Sequence, residues 1–95
     1  MPETGEHQRR RVHYRGRVQG VGFRYRVRRI ADPFNVTGYV QNLPDGRVVL
    51  LAEGPSEELD RFFEAVRSQM GHYINDESQT AEPATGQFPQ FDIRY

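Results

Sequence analysis

The chain has 95 residues, which allows one domain with a single modest core. It contains no cysteine, which excludes disulfides, thiolate catalysis and cysteine metal sites, and its three histidines are scattered, so we expect no metal site. No apolar run approaches the ~20 residues of a membrane span, and the first residues lack the apolar stretch of a secretory signal. We therefore expect a soluble, cytoplasmic protein.

The formal net charge is zero, but the charges are unevenly distributed along the chain. Residues 1–29 carry nine Arg and two Glu, a net charge of +7, and the remainder carries four Arg and eleven acids, a net charge of −7. The arginines could simply be a solvated strand face and tail, or they could attract anions toward the loop that follows. Residues 1–8 show no core pattern and are predicted to form a disordered tail, which leaves residues 9–95 as the domain.

The first half of the chain is predicted to form a strand, a helix and a second strand. Residues 11–18 alternate apolar and basic side chains, which is typical of a half-buried strand. From Phe23 the apolar spacing changes to that of an amphipathic helix, and Asp32 followed by Pro33 should end or distort it. Residues 36–42 form the second predicted strand.

The second half begins with a turn signal, LPDG, before the apolar run 48–52, so strands two and three form a hairpin. A second helix opens at residues 54–58, with acids near its N-terminus, and carries an apolar stripe as far as Met70. Residues 73–81 are polar and are predicted to form an edge strand. Alternation over residues 91–95 indicates a last short strand.

The resulting order is βαββαβ with a short additional C-terminal strand, an α+β fold. Right-handed crossovers and short hairpins favour an antiparallel-dominated sheet with two helices on one face and with strands one and three in the middle. Strands one and two then run parallel on either side of strand three, so their carboxyl ends lie at the same edge, roughly 10 Å apart. The loop 18–24 and Asn42 should therefore face a common space.

The stretch GRVQGVGFR, which joins the first strand to the first helix, combines small residues with arginine. Gly20 and Gly22 permit backbone conformations that would let several N–H groups converge at the positive end of the helix dipole. A structural turn would explain these glycines. It would not explain Arg24 in the first helical turn, where the dipole disfavours a cation. A bound phosphate or carboxylate would remove that conflict.

Three segments in combination resemble the acylphosphatase family: VQGVGFR at residues 18–24, GYVQN at 38–42 and PDGR at 44–47. The likeness covers residues from about 10 to 70 well, and it continues more weakly through residues 86–95. The resemblance implies the ferredoxin-like α/β sandwich, in agreement with the order of strands and helices.

The resemblance also implies hydrolysis of the carboxyl-phosphate bond of acyl phosphates to carboxylate and inorganic phosphate, without metal or cofactor. Under that resemblance, Arg24 binds the phosphate and Asn42 positions the attacking water. The phosphate-binding backbone amides would be those of Gln19, Gly20, Val21, Gly22, Phe23 and Arg24. We expect a monomer that acts on a small-molecule acyl phosphate, releases inorganic phosphate, and binds neither membranes nor nucleic acid.

Two other functions fit a fold of this kind. One is nucleic-acid binding on the open face of the sheet, but the predicted open face of strand one offers Arg11, His13, Arg15 and Arg17 rather than the exposed aromatic residues that stack bases. The other is a non-catalytic module that binds phosphate or handles carbamoyl phosphate within a larger enzyme. The sequence reveals no specificity pocket, so the acyl group is not predicted.

Overall fold

The computed structural model of the protein describes residues 6–95, which form five strands and two α-helices. In chain order these are β1 (His7–Gly16), α1 (Phe23–Ala31), β2 (Thr37–Asn42), β3 (Val48–Pro55), α2 (Ser56–Met70), β4 (Ile74–Pro83) and β5 (Phe91–Arg94). A 3-10 turn at Gly71–Tyr73 joins α2 to β4. Within residues 6–95, neither helix is long and apolar enough to cross a bilayer.

The first strand starts earlier than its side-chain pattern predicts. His7 pairs with Pro55 of β3, and Gln8 pairs with Gly54. The prediction of a disordered tail over residues 1–8 is therefore wrong at His7 and Gln8, and its first five residues lie outside the described part of the chain. The start of β1 is set by pairing with neighbouring strands on both sides, which a run of polar side chains does not reveal.

The five strands form one sheet in the order β4-β1-β3-β2-β5. The pairs β1–β3, β1–β4 and β2–β3 are antiparallel, and β2–β5 is parallel. The predictions of an antiparallel-dominated sheet, with β1 and β3 inside it, are confirmed. The predicted edge strand at 73–81 is also confirmed, as β4, and its mostly exposed side chains agree with a strand that has one neighbour.

Both helices pack on one face of the sheet. Their buried stripes meet alternate residues of the strands in one core, whose fully buried members include Val12, Val27, Val40, Leu50, Phe62, Val66 and Met70. Aromatic rings fill much of this core, with Phe62 in contact with Phe34, Phe63 and Phe91. The fold is thus a ferredoxin-like α/β sandwich, as predicted.

The opposite face of the sheet holds a buried carboxylate that the sequence did not suggest. Glu53 of β3 is only 3% exposed and accepts hydrogen bonds from Arg9, Thr85 and Gly86. Residues 84–90 carry the chain from β4 at one edge of the sheet to β5 at the other. Glu53 fixes the start of this crossing segment, which allows β5 to pair with β2.

Candidate active site

The topology brings the loop after β1 and the end of β2 to the same edge of the sheet. β1 and β2 both run antiparallel to β3, which lies between them, so their carboxyl ends point the same way. A cavity of about 200 Å³ opens at this edge. It is lined by Val18, Gly20, Gly22, Phe23, Arg24, Tyr25 and Asn42. The expectation that the loop and Asn42 face a common space is confirmed.

The backbone of the loop turns through two glycines in the left-handed region. Gly20 and Gly22 both have φ of 78°, and Gly22 is the N-cap of α1 without a side-chain capping bond. The first bond of the helix runs from the Arg26 amide to the Gly22 carbonyl, at 3.1 Å. Within residues 6–95, no protein acceptor binds the amides of residues 19–24. These N–H groups are available to an anion at the positive end of the helix.

Two residues of the loop, Gln19 and Val21, are not part of the cavity lining. Val21 is partly buried against the core. Gln19 turns toward the β2–β3 hairpin, where its Nε2 donates to the carbonyls of Leu43, at 2.8 Å, and Arg47, at 2.9 Å. Gln19 therefore ties the loop to the turn that follows Asn42. Sequence reasoning missed this contact, because nothing in the local pattern shows where the amide points.

Arg24 lies in the first turn of α1, which contains no acidic residue. Its guanidinium carbon is 4.9 Å from the centre of the Tyr95 ring, so the cation stacks on an aromatic face. Within the described residues, no carboxylate forms an ion pair with it. The guanidinium thus keeps its donors for an external acceptor, while the stacking limits its orientation.

Tyr25 and Tyr95 form the outer part of this arrangement, and sequence reasoning did not single them out. Their hydroxyl oxygens are 2.9 Å apart, within hydrogen-bond distance. This hydrogen bond is the main cause that raises the pKa of Tyr95 above its ordinary value. The aromatic pair therefore connects the helix that carries Arg24 to the end of β5.

Asn42 is the last residue of β2 and is part of the cavity lining. Its Oδ1 is buried, and within residues 6–95 no donor bonds to it. A buried acceptor without a partner costs about 1–3 kcal/mol, so such groups mark strain or a functional role. Asn42 thus offers an unused acceptor next to the loop amides.

The arginines of the first 29 residues divide into a paired and an unpaired set. Arg9, Arg10 and Arg28 form ion pairs with Glu53, Asp60 and Asp32 respectively. The other members in the described residues have no such pair: Arg11, Arg15, Arg17, Arg24, Arg26 and Arg29. The unpaired arginines keep this region positive. Burial, followed by the charges of Arg47 and Arg11, lowers the pKa of His13.

A metal centre has no candidate in the described part of the chain, where no three His, Asp or Glu side chains are grouped closely enough to hold an ion. The fold and the cavity together define a ferredoxin-like domain with a small cavity at one edge of the sheet, lined by residues of the glycine loop, by Arg24 and by Asn42. The acylphosphatase family model matches residues 10–93. The chain belongs to the acylphosphatase family.

Individual relatives agree with this assignment. An acylphosphatase from Syntrophus aciditrophicus is 40% identical over 85 residues, which cover 88% of each chain. An acylphosphatase from Bacillus velezensis is 64% identical over 52 residues, which are 55% of this chain and only 58% of that relative. The crystal structure of acylphosphatase from Bacillus subtilis matches with a TM-score of 0.84 at 42% identity, and the match covers 93% of this chain and 99% of that one.

Proposed function

We propose that the protein hydrolyses the carboxyl-phosphate bond of acyl phosphates to a carboxylate and inorganic phosphate. The observation that carries the proposal is one small cavity that combines free loop amides, an arginine with no carboxylate partner in residues 6–95, and the buried, unpartnered Oδ1 of Asn42. Membership of the acylphosphatase family supports the same chemistry. The identity of the acyl group is a separate question.

The phosphoryl group binds to the amides of residues 19–24 and to Arg24. Amides at a helix N-terminus present partial positive charge, and the planar guanidinium can donate to two oxygens at once. Phosphoryl transfer depends mainly on positioning and on stabilising charge at the equatorial oxygens, which these donors supply. The phosphate also relieves the unfavourable placement of a cation in the first turn of a helix.

Asn42 positions the attacking water. Its Oδ1 accepts a hydrogen bond from the water and holds the water oxygen in line with the bond to be broken. The water oxygen forms the new bond to phosphorus, while the bond from phosphorus to the acyl oxygen breaks and its electron pair leaves with the carboxylate. The water protons pass to the phosphate or to solvent. A carboxylate is a good leaving group and needs no general acid to protonate it. This agrees with the cavity, because its lining residues within the described part of the chain include no His, Asp or Glu.

The test of phosphate binding compares two arginines of α1. Arg24→Ala should abolish turnover of benzoyl phosphate and remove competitive inhibition by inorganic phosphate. Arg24→Lys should also be poor, because an ammonium cannot reproduce the two-oxygen fork. Arg26→Ala is the matched control, since Arg26 is also free of ion pairs in the described residues but borders the groove between the helices instead. The Arg26→Ala protein should retain both turnover of benzoyl phosphate and inhibition by inorganic phosphate.

The test of the water site uses Asn42→Ala. Turnover should fall by about a hundredfold to a thousandfold, the usual effect of a lost positioned polar group, while phosphate inhibition remains. Gln41→Ala changes the residue before Asn42, which faces the opposite side of the sheet, and should have little effect on turnover. All variants are first shown to be folded by urea denaturation. Full turnover in folded Asn42→Ala, or normal phosphate inhibition in folded Arg24→Ala, would contradict the assigned roles.

The same measurements separate the alternatives. Phosphate binding without hydrolysis of any acyl phosphate would favour a non-catalytic phosphate-binding module. Nucleic-acid binding that weakens steeply with salt and survives Arg24→Ala would favour a nucleic-acid-binding module. We further propose that the protein acts as a monomer in the cytoplasm without a metal ion, so turnover should persist in the presence of a chelator.

A further inference from the structure

A second cavity lies in the groove between α1 and α2. Its volume is about 570 Å³. Sites for small molecules have volumes of about 300–1,000 Å³, so the groove is large enough to hold one. The residues that line it are Arg26, Arg29, Ile30, Pro33, Phe34, Ala65 and Gln69. None of them lines the cavity of the candidate active site, so the two cavities are separate.

The groove has a polar end and an apolar end. β1 and β3 are antiparallel, and each is followed by a helix that runs back along the sheet, so α1 and α2 also run in opposite directions. The start of α1, with Arg26, therefore lies beside the end of α2, with Gln69. At the other end the rings of Phe34 and Phe62 are 5.9 Å apart. Phe34 and Ala65 are only partly buried, so apolar surface remains there for a ligand to cover.

The two arginines of the groove have no carboxylate partner within residues 6–95. Arg26 and Arg29 are both exposed and lie three positions apart on α1, so they are neighbours on one side of the helix. Arg28, between them in the sequence, is instead paired with Asp32. Arg26 and Arg29 therefore give the groove a positive charge that no ion pair in the described residues neutralises.

We propose that this groove binds a small amphipathic anion, namely a carboxylate with an apolar chain. The carboxylate lies between Arg26 and Arg29, whose guanidinium groups donate to its oxygens. The chain lies along Ile30, Phe34 and Ala65, where it buries apolar surface. The inference does not depend on the proposed function, because it concerns a different cavity.

The size and charge of the groove favour a small molecule over a macromolecule. Stable protein interfaces bury about 1,200–2,000 Å², more than one short groove provides. Beyond the groove, α2 carries arginines that are already paired, Arg61 with Glu58 and Arg67 with Glu64. The unpaired positive charge therefore does not continue over α2, as an acidic protein or the surface of an anionic membrane would require.

The experiment measures the binding of sodium decanoate by NMR titration of the isotope-labelled protein. Decanoate should shift the amide signals of Ile30, Ala65 and Gln69 in a saturable way. Decyltrimethylammonium has the same chain with the opposite charge and should not bind there. Acetate lacks the chain and should bind far more weakly. Added salt should weaken the binding of decanoate, because exposed charges are screened.

Two variants test the carboxylate and the chain separately. The double variant Arg26→Gln with Arg29→Gln should weaken decanoate binding by about three- to tenfold, since two exposed ion pairs are lost. Ala65→Leu should also weaken it, because the larger side chain fills the apolar end of the groove. Arg61→Gln is the matched control, since Arg61 is an exposed arginine of the same helix layer that does not line the groove. It should bind decanoate as the wild type does.

Arg24→Ala separates the groove from the candidate active site. Decanoate should still shift the groove amides in a folded Arg24→Ala protein. Loss of these shifts in that variant, or unchanged affinity in the folded double arginine variant, would overturn the inference. Binding to anionic lipid vesicles without binding of monomeric decanoate would overturn it as well. Each of these outcomes leaves the proposed function unaffected, because hydrolysis of acyl phosphates is measured separately.

Discussion

The buried carboxylate of Glu53 allows a sharp test of what holds the sheet together. Its oxygens accept bonds from Arg9 Nε at 2.8 Å, from Thr85 Oγ1 at 2.8 Å and from the Gly86 amide at 2.8 Å. The Thr85 amide donates as well, at 3.1 Å. These bonds fix the start of the segment that carries the chain across to β5. We predict that Glu53→Gln destabilises the protein strongly.

The expected loss of stability follows from the interactions of Glu53 that a glutamine cannot make. The substitution keeps the shape, but it removes the charge and places an amide N–H₂ among backbone and guanidinium donors. Arg9, with its side chain 13% exposed, then loses its buried partner. Removing one member of a buried ion pair costs about 3–5 kcal/mol. Arg9 keeps weaker contacts with Glu82, at 3.8 Å, and with the Phe88 ring, at 5.5 Å, so we expect the lower end of that range, about 3 kcal/mol.

Urea denaturation measures this loss, since a domain of this size usually unfolds in one cooperative step. The midpoint should fall with little change in the slope. Glu82→Gln is the matched control, because Glu82 faces the same arginine but is 40% exposed, at 3.8 Å. An exposed pair of this kind contributes about 0–1 kcal/mol. The two variants should therefore differ clearly in stability.

The pH dependence gives an independent check. Burial alone would raise the pKa of Glu53, but the hydrogen bonds from Gly86, Thr85 and Arg9 together hold it below its ordinary value. A carboxyl whose pKa is lower in the folded state stabilises the fold fully above its unfolded pKa of about 4.3, and this contribution disappears as the pH falls through the folded value. The wild-type protein should thus lose stability on acidification more steeply than Glu53→Gln. A variant within about 1 kcal/mol of wild type at neutral pH, with the same acid profile, would refute the reasoning.

Two further predictions concern the edge strand and the loop. The amides of β4 should exchange with solvent well before those of β1 and β3, because β4 pairs on one side and buries few side chains, and equal protection in hydrogen exchange would contradict this. Gln19→Ala should lower turnover by roughly tenfold to a hundredfold, because the loop loses its two bonds to the β2–β3 turn. Unchanged turnover in a folded Gln19→Ala protein would show that these bonds do not position the site.

The elements that the sequence predicts well are those whose side chains alternate or repeat on one face. The helix that begins at Phe23 and the apolar stripe that ends at Met70 are found as predicted. The strand predicted at residues 48–52 extends to Pro55, because Glu53 and Gly54 stay in the ladder. Their inclusion depends on partners that local periodicity does not describe. Strand ends are therefore where the prediction is weakest.

In the candidate site, too, some features are predicted from the sequence and others depend on tertiary contacts. Topology and local chemistry are enough to predict that the glycine loop meets Asn42, because the loop follows β1, Asn42 ends β2, and the two strands run in the same direction. The contacts of Gln19 with the hairpin and the pairing of Tyr25 with Tyr95 join residues that are 24 to 70 positions apart in the sequence. Such contacts depend on tertiary distances and on side-chain rotamers, which no spacing in the sequence specifies.

The distribution of acids among residues 6–95 leaves Arg24 at the loop without a carboxylate partner. Arg10 and Arg28 each have a carboxylate partner, and Arg9 has two, whereas the rim of the cavity offers Arg24 an aromatic face. A carboxylate at that point would compete with phosphate for the same donors, and phosphate would have to displace it. The Tyr95 ring orients the guanidinium without occupying its hydrogen-bond donors. Under the proposed function, an incoming anion therefore gains the charge of Arg24 together with the helix dipole and the loop amides, with no ion pair to break among residues 6–95.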